Sequence, residues 1–303
     1  MAQADRTAAV LDALIVGGDS LIGRYLGSTL SRAGRPFRAT SRRPQAGALP
    51  LDLAAPDFAA FDGLAFGCAY ICAAVTDLRA CERDPEATAR VNVEGTLAVM
   101  RTFAARGTEL VFLSSSQVFD GETPLPDEDA PCRPKNAYGR QKLTLEAAIA
   151  REGLPAAVLR PTKVLAAEPV GMFRLWHEKL RQGEPAVAAS DMTLAPLAAE
   201  EMARAAIALG DRRCRGIWHL SSADELSYAE AAALMAEACG FPPGLVRGEP
   251  VTEAQVPAIY RHRYSALEAR KIAHELGLQI RPARAVLAEL FAGFPAAAEA
   301  PPR

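Results

Sequence analysis

Lysine is scarce in this chain. Of its 34 basic residues only five are lysine, so arginine is the default carrier of positive charge. A lysine is therefore informative wherever it stands. Long apolar runs are also missing: nowhere do 18 uninterrupted apolar residues occur, and no membrane span is expected. The start of the chain carries Asp5 and Asp12 and no apolar stretch of signal-peptide type. Cys68, Cys72, Cys81, Cys132, Cys214 and Cys239 form no CxxC pair, and no cysteine–histidine cluster has zinc spacing. No metal site is expected, Cys68 and Cys72 read as buried thiols, and the setting reads as reduced and cytoplasmic. Excess charge of one sign is absent too. The net charge is −2, with arginines and acids interspersed, which argues against a nucleic-acid partner.

What is present is an ordinary globular composition: 303 residues, 50% hydrophobic and 23% charged, enough to build a core without staples. Apolar strand-like segments alternate with helical patterns. The strand candidates are 12–18, 36–41, 68–75, 109–116, 155–162 and 216–222. Between them lie helix candidates over 21–34 (stopped by Gly34), 85–105 (Pro85 in its first turn) and 136–151. This alternation predicts an α/β fold: a Rossmann-type, doubly wound parallel sheet. After about residue 163 the pattern loosens into helices near 171–182, 198–210, 227–239 and 265–276. The expected organisation is a dinucleotide-binding domain over 12–163, joined by a returning strand near 216–222. A smaller, mainly helical substrate lobe follows over 164–292, with loose tails at 1–11 and 294–303.

The first strand runs into VGGDSLIG. Gly18 and Gly23 have the spacing of a triphosphate-binding loop, but that motif ends in lysine and a hydroxyl residue, and Arg24 and Tyr25 stand there instead. The other reading is a dinucleotide turn, Gly17-x-x-Ser20-x-x-Gly23, with Asp19, Leu21 and Ile22 between its fixed points. Gly17 allows the bend, Gly23 lets the helix pack against the sheet, and the helix-start amides face a pyrophosphate. The small hydroxyl of Ser20 still lets the pyrophosphate approach. After the second strand, where NAD-binding folds usually carry an acid, stand Ser41, Arg42 and Arg43. Two guanidinium groups suit a 2′-phosphate, so NADP(H) is expected over NAD(H).

One of the five lysines, Lys142, lies four residues after Tyr138 in the AYGRQK stretch, on one face of an expected helix. An ammonium there is expected to favour the phenolate and lower the tyrosine pKa for proton transfer. The strand at 109–116 ends in Ser114, Ser115 and Ser116, where open α/β sheets bind ligands. If the strand continued, side-chain alternation would turn Ser115 away from Ser114 and Ser116.

A strand-end serine, a tyrosine 23 residues on and a lysine four further, behind a glycine turn, resemble the extended short-chain dehydrogenase/reductase superfamily, in particular its dTDP-4-dehydrorhamnose reductase group. The matching stretches are VGGDSLIG, LDL at 51–53, CAAVTDLRACERDPEATARVNVEGT, FLSSSQVFDG, PKNAYGRQK, VLRPT, GIWHLSS and RYSALEARKI. The resemblance implies that Ser115, Tyr138 and Lys142 are catalytic, with the lysine also holding the nicotinamide ribose. It implies cofactor contacts at Asp52, Leu53, Cys72, Ala73, Ala74, Asn92, Pro161 and Thr162, and substrate contacts at Val75, Ser116, Gln117 and Arg263. The activity implied is reduction of a carbonyl, the keto group of a nucleotide-linked sugar, in a chain able to form a homodimer. Two alternatives remain open. One is an epimerase or dehydratase using NAD(P) transiently. The other is a non-catalytic NADP-binding subunit, which the regulatory subunit of methionine adenosyltransferase resembles. The chain departs from the family pattern at Ser116–Gln117, Met172, the TLAP stretch at 193–196, His262 and Tyr264. The cofactor half of the pattern is thus better matched than the sugar-nucleotide half.

Overall fold

A computed structural model describes residues 9–43 and 46–297. Six strands, β1 (Ala9–Val16), β2 (Phe37–Ser41), β3 (Ala48–Pro50), β4 (Leu64–Ile71), β5 (Glu109–Leu113) and β6 (Ala156–Pro161), share one parallel sheet with the strand Gly216–Leu220. The spatial order is Gly216–Leu220, β6, β5, β4, β1, β2, β3. The apolar runs of β4, β5 and β6 are what a sheet covered on both faces requires; every residue of β6 is buried. The strand order reverses at β1, which pairs with β2 on one side and β4 on the other. Ligand crevices of doubly wound sheets open at such a reversal, beyond the carboxyl ends of the strands.

The helices that follow these strands are α1 (Leu21–Arg32), α2 (Leu78–Arg83), α3 (Pro85–Ala89), α4 (Thr96–Ala105) and α5 (Ala137–Glu152). The single helix expected over 85–105 is interrupted: Arg90–Gly95 is a π-helical segment between α3 and α4. A Cβ on Gly95 would lie 1.7 Å from the Leu53 carbonyl oxygen, so the helix meets the backbone of the 51–53 loop where only glycine fits. The strand β3 and the short α2 have no counterpart in the sequence-based expectations. Three and six residues are too few to show a period.

The chain divides into two compact units. Among the described residues, one holds 9–118, Asn136–Arg160 and Ala203–Trp218; the other holds Phe119–Lys135, Pro161–Met202 and 219–297. The core of the first is built on Leu14, Val16, Phe61, Phe103, Phe112 and Leu145. The second packs α6 (Gly171–Arg181), α8 (Tyr228–Cys239) and α10 (Ala283–Phe291) around Phe173, Trp176, Met235, Phe241 and Phe291. The helix α7 (Ala199–Asp211) spans the division between the units. The helix expected over 265–276 is shorter, α9 (Arg270–Leu276). Three small strand pairs also belong to the second unit: Lys163–Leu165 with Pro196–Ala198, Ala186–Ala189 with Val246–Glu249, and Thr193–Leu194 with Leu226–Ser227.

The loose tails need correction. Residues 1–8 and 298–303 lie outside the described residues. Residues 9–11 already belong to β1, where Leu11 pairs with Phe66. At the other end Phe294 is buried in the second core, because its ring has Phe291 and His177 to pack against.

Candidate active site

The first turn is a closed hydrogen-bonded device. Gly17 has φ +87, and a Cβ on it would sit 2.7 Å from that of Ala73. Its amide donates to Thr40 Oγ1 at 3.0 Å, and the Gly18 amide donates to the Thr40 carbonyl at 2.8 Å. Ser20 caps α1: its Oγ accepts from the Gly23 amide at 3.0 Å and donates to the Gly17 carbonyl at 2.8 Å. The hydroxyl is therefore spent on shaping the turn. A Cβ on Gly23 would meet the Gly17 oxygen at 2.3 Å, so helix and strand touch through bare backbone. The amides of Leu21 and Ile22 open the helix and have no carbonyl within it to donate to, the usual requirement for an anion seat. Asp19 is exposed beside them, its carbonyl accepting from Arg24.

Arg42 and Arg43 are exposed just past β2, while Ser41 is buried and its Oγ accepts from the Arg43 amide at 3.0 Å. Asp52 is exposed, with a carboxylate oxygen accepting from the Ala54 amide at 2.9 Å. Leu53 lies in the core, which leaves only its backbone for a ligand. The amides of Cys72 and Ala73 both donate to the Val16 carbonyl at 2.9 Å, binding the end of β4 to the end of β1. Asn92 acts as a bracket. Its Oδ1 accepts from the Val75 amide at 2.7 Å, and its Nδ2 donates to the Val75 carbonyl at 3.0 Å and to Gln141 Oε1 at 2.7 Å. Both amide protons are thus used within the protein, and Oδ1 keeps one lone pair. The side chain fixes the 73–75 loop against α5.

The helix α5 starts at an Asn136 cap, whose Oδ1 accepts from the Gly139 amide at 2.9 Å, and Glu82 of α2 accepts from the Ala137 amide at 2.7 Å. This start fixes which residues face inward, and both Tyr138 and Lys142 are buried. The strand β5 ends at Leu113 and a 3-10 turn covers Ser116–Val118, so side-chain alternation does not carry through the three serines. Ser114 is buried against Glu146, whereas Ser115 is half-buried, accepts from the Gln117 amide at 3.2 Å and lies near enough to the Tyr138 phenol to draw its pKa down. Gln117 Oε1 accepts from Asn136 at 2.8 Å, and so holds the start of α5. Ser116 and Val75 are partly buried.

Lys142 Nζ donates to the Leu113 carbonyl at 2.6 Å and lies 4.6 Å from the Phe112 ring centre and 5.5 Å from that of Tyr138. Desolvation lowers the lysine to about 8, opposed chiefly by the Glu146 carboxylate. The expected lowering of the tyrosine is reversed. Burial pushes the Tyr138 phenol above its ordinary value, Cys81 adds to the rise, and only the Ser115 hydrogen bond pulls downward. Taking a phenolate out of water costs more than its neighbours return. The result is a phenol that stays protonated and can donate. Cys72, also near Lys142, is raised to about 12 by desolvation and stays a thiol. Glu146 and Arg160 were missed from the sequence, although Tyr138, Lys142 and Glu146 at i, i+4 and i+8 form one helical stripe.

Pro161, Thr162 and Arg263 belong to the second unit. Pro161 and Thr162 are buried, and Thr162 Oγ1 has no hydrogen-bond partner among the described residues. Arg263 is exposed, its guanidinium 5.4 Å from the Tyr264 ring centre, and its carbonyl accepts from Thr193 Oγ1 at 3.0 Å. Among the described residues no helix is long and apolar enough to cross a membrane, and no group of three or more His, Cys, Asp or Glu could hold a metal ion.

With this geometry in hand, comparison with known proteins is specific. The model of the RmlD substrate binding domain family matches residues 11–295. The chain belongs to that family. A relative within reach by sequence, the dTDP-4-dehydrorhamnose reductase of Mycobacterium tuberculosis (strain ATCC 25618 / H37Rv), is 33% identical over 211 residues, covering 66% of this chain and 68% of the relative. The structure of the dTDP-4-dehydrorhamnose reductase from Bacillus anthracis str. Ames in complex with NADP is similar with a TM-score of 0.78 at 20% identity, covering 93% of this chain and 98% of that one. MoeE5 in complex with UDP-glucose and NAD gives 0.77 at 24% identity, covering 93% and 98%. At such identities the two structures establish the fold alone. Family and fold together make this a chain of the sugar-nucleotide reductase and epimerase type, and the resemblance read from the motifs is the correct one.

Proposed function

We propose that the chain is an NADP(H)-dependent reductase acting on the keto group of a nucleotide-linked sugar. The observation that carries this reading is the meeting of Ser115, Tyr138 and Lys142 around one buried point, with the phenol held in its protonated form. The residues present fit a dinucleotide. The Gly17–Gly23 turn leaves helix-start amides for a pyrophosphate, and Arg42 and Arg43 stand exposed where a 2′-phosphate would lie. When bound, the nicotinamide supplies a hydride to the carbonyl carbon. Ser115 donates a hydrogen bond to the carbonyl oxygen and polarises it. Tyr138 passes its phenolic proton to that same oxygen, which becomes the product hydroxyl. Lys142 places a compact cation beside the phenol and stabilises the phenolate left behind; a forked guanidinium could not replace it in this space.

The presence of Ser115, Tyr138 and Lys142 together supports a reductase over a binding subunit. A burial-raised phenol suits proton donation. The test is oxidation of NADPH and of NADH by the purified chain with dTDP-4-keto sugars. NADPH should be preferred, and Arg42→Ala should cost about tenfold in NADPH affinity, the worth of one charge-assisted contact, with little change for NADH. Equal affinities for the two cofactors in the wild type remove the NADP assignment. No turnover with any keto sugar, despite tight cofactor binding, favours the non-catalytic subunit.

A further inference from the structure

Buried residues of α5, one turn apart, reach the end of β5 and the serines after it. Lys142 donates to the Leu113 carbonyl, Glu146 accepts from the Ser114 hydroxyl, and Tyr138 lies beside Ser115. Only Tyr138 and Lys142 belong to the site described above. Glu146 is 5% exposed, and a carboxylate so deep requires a partner. Arg160 of β6, 4% exposed, supplies it: Nη2 donates to Oε2 at 2.6 Å, and Nε lies 3.1 and 3.2 Å from the two carboxylate oxygens.

Resting on the reductase reading, we propose that Glu146 is a positioning residue of the site. Its buried carboxylate, anchored by Arg160, holds the Lys142 ammonium and the Ser115-bearing strand end in register for proton transfer from Tyr138. Several groups face Lys142. From its own helix come Glu146 and Tyr138, from the end of β4 Cys72, and from α2 Cys81. Of these, Glu146 is the largest influence opposing desolvation, and it is the one anion placed there by a dedicated ion pair. A fully apolar replacement of such a pair often leaves a protein as stable or more so, which makes stability a poor reason for keeping it. A role at the site explains its presence better.

The test reads Lys142 itself, without substrate. Only five lysines exist, so protein labelled with ¹³C-lysine gives few Cε signals, and Lys142→Arg assigns the relevant one. Wild type, Glu146→Gln and Glu146→Asp are titrated. In Glu146→Gln the Lys142 midpoint should fall by about one unit, a tenfold loss of ammonium at a given pH, and the alkaline limb of kcat should fall with it. Glu146→Asp should restore most of both, which a purely structural role would not. If Glu146→Gln does not fold, the neutral pair Glu146→Met with Arg160→Met takes its place, with the same expected direction. An unmoved Lys142 midpoint in a wild type that turns over overturns the positioning role and leaves the reductase reading standing. A moved midpoint in a chain that never turns over supports the hold of Glu146 on Lys142 and removes the reductase reading.

Discussion

The two units differ in how their proposed ligand-binding positions are made. In the first, backbone does most of it: Gly17 and Gly23 at van der Waals limits, helix-start amides, and the Val75 backbone clamped by Asn92. In the second, the positions where the family pattern carries polar side chains are altered. Met172, 46% exposed, and Tyr264 each stand in place of an asparagine, and beside Tyr264 the pattern's proline is replaced by His262, buried and lowered to about 4. Gly121, with φ +73, leaves room for that histidine: a Cβ there would lie 2.7 Å from its ring. A backbone-built site resists sequence drift, because any residue supplies an amide. A site built from side chains changes with each substitution. The half proposed for the dinucleotide is accordingly recognisable and the half proposed for the sugar individual.

The sharpest way to break this contrast is Tyr138→Phe. It should lower kcat by about 10²–10⁴-fold, the usual worth of a positioned proton donor, and leave NADPH affinity nearly unchanged. Steady-state kinetics beside a cofactor titration decides it; a fully active variant would end the catalytic reading of the first unit.

Next in size is Gly95→Ala. Because the added carbon falls on the Leu53 carbonyl, a loss of about 2–4 kcal/mol is expected, seen as a lowered Tm. A glycine of the second unit for contrast is Gly244, where among the described residues an added Cβ would meet nothing within 4 Å beyond its chain neighbours. Gly244→Ala should stay within about 0.5 kcal/mol. Equal losses at both positions would mean that backbone contact does not distinguish the units.

Lys142→Met should raise stability at pH 7 while abolishing turnover. The folded value of Lys142, about 8, lies below the ordinary 10.5, so the unfolded chain binds more protons between them. The cost of burying the ammonium is complete below pH 8 and is relieved as pH rises toward 10.5. Removing the charge should gain about 1–2 kcal/mol at pH 7, less than the full shift implies because the Leu113 carbonyl loses its donor. Denaturant melts of both proteins across pH 7–10.5 check this, the difference shrinking with pH. The smallest effect belongs to the second unit. Met172→Asn should lower KM for a dTDP-sugar by about threefold, through one surface hydrogen bond, with kcat unchanged.

Much of this protein was legible in its sequence because the signals are local. The alternation of apolar strands and helices gave the doubly wound sheet, glycine spacing gave the first turn, and the i, i+4 pair gave Tyr138 and Lys142 a common face. Folding decided what depends on distant partners. Ser114 and Ser115 are adjacent and chemically identical, yet one is buried on Glu146 and the other meets Tyr138, because β5 stops at Leu113. Asn92 braces Val75 and Gln141, 17 and 49 residues away, and no local pattern announces that. The direction of the Tyr138 shift was not legible either. Spacing along a helix reports which charges are near, but burial, set by the whole core, decides which protonation state that environment favours.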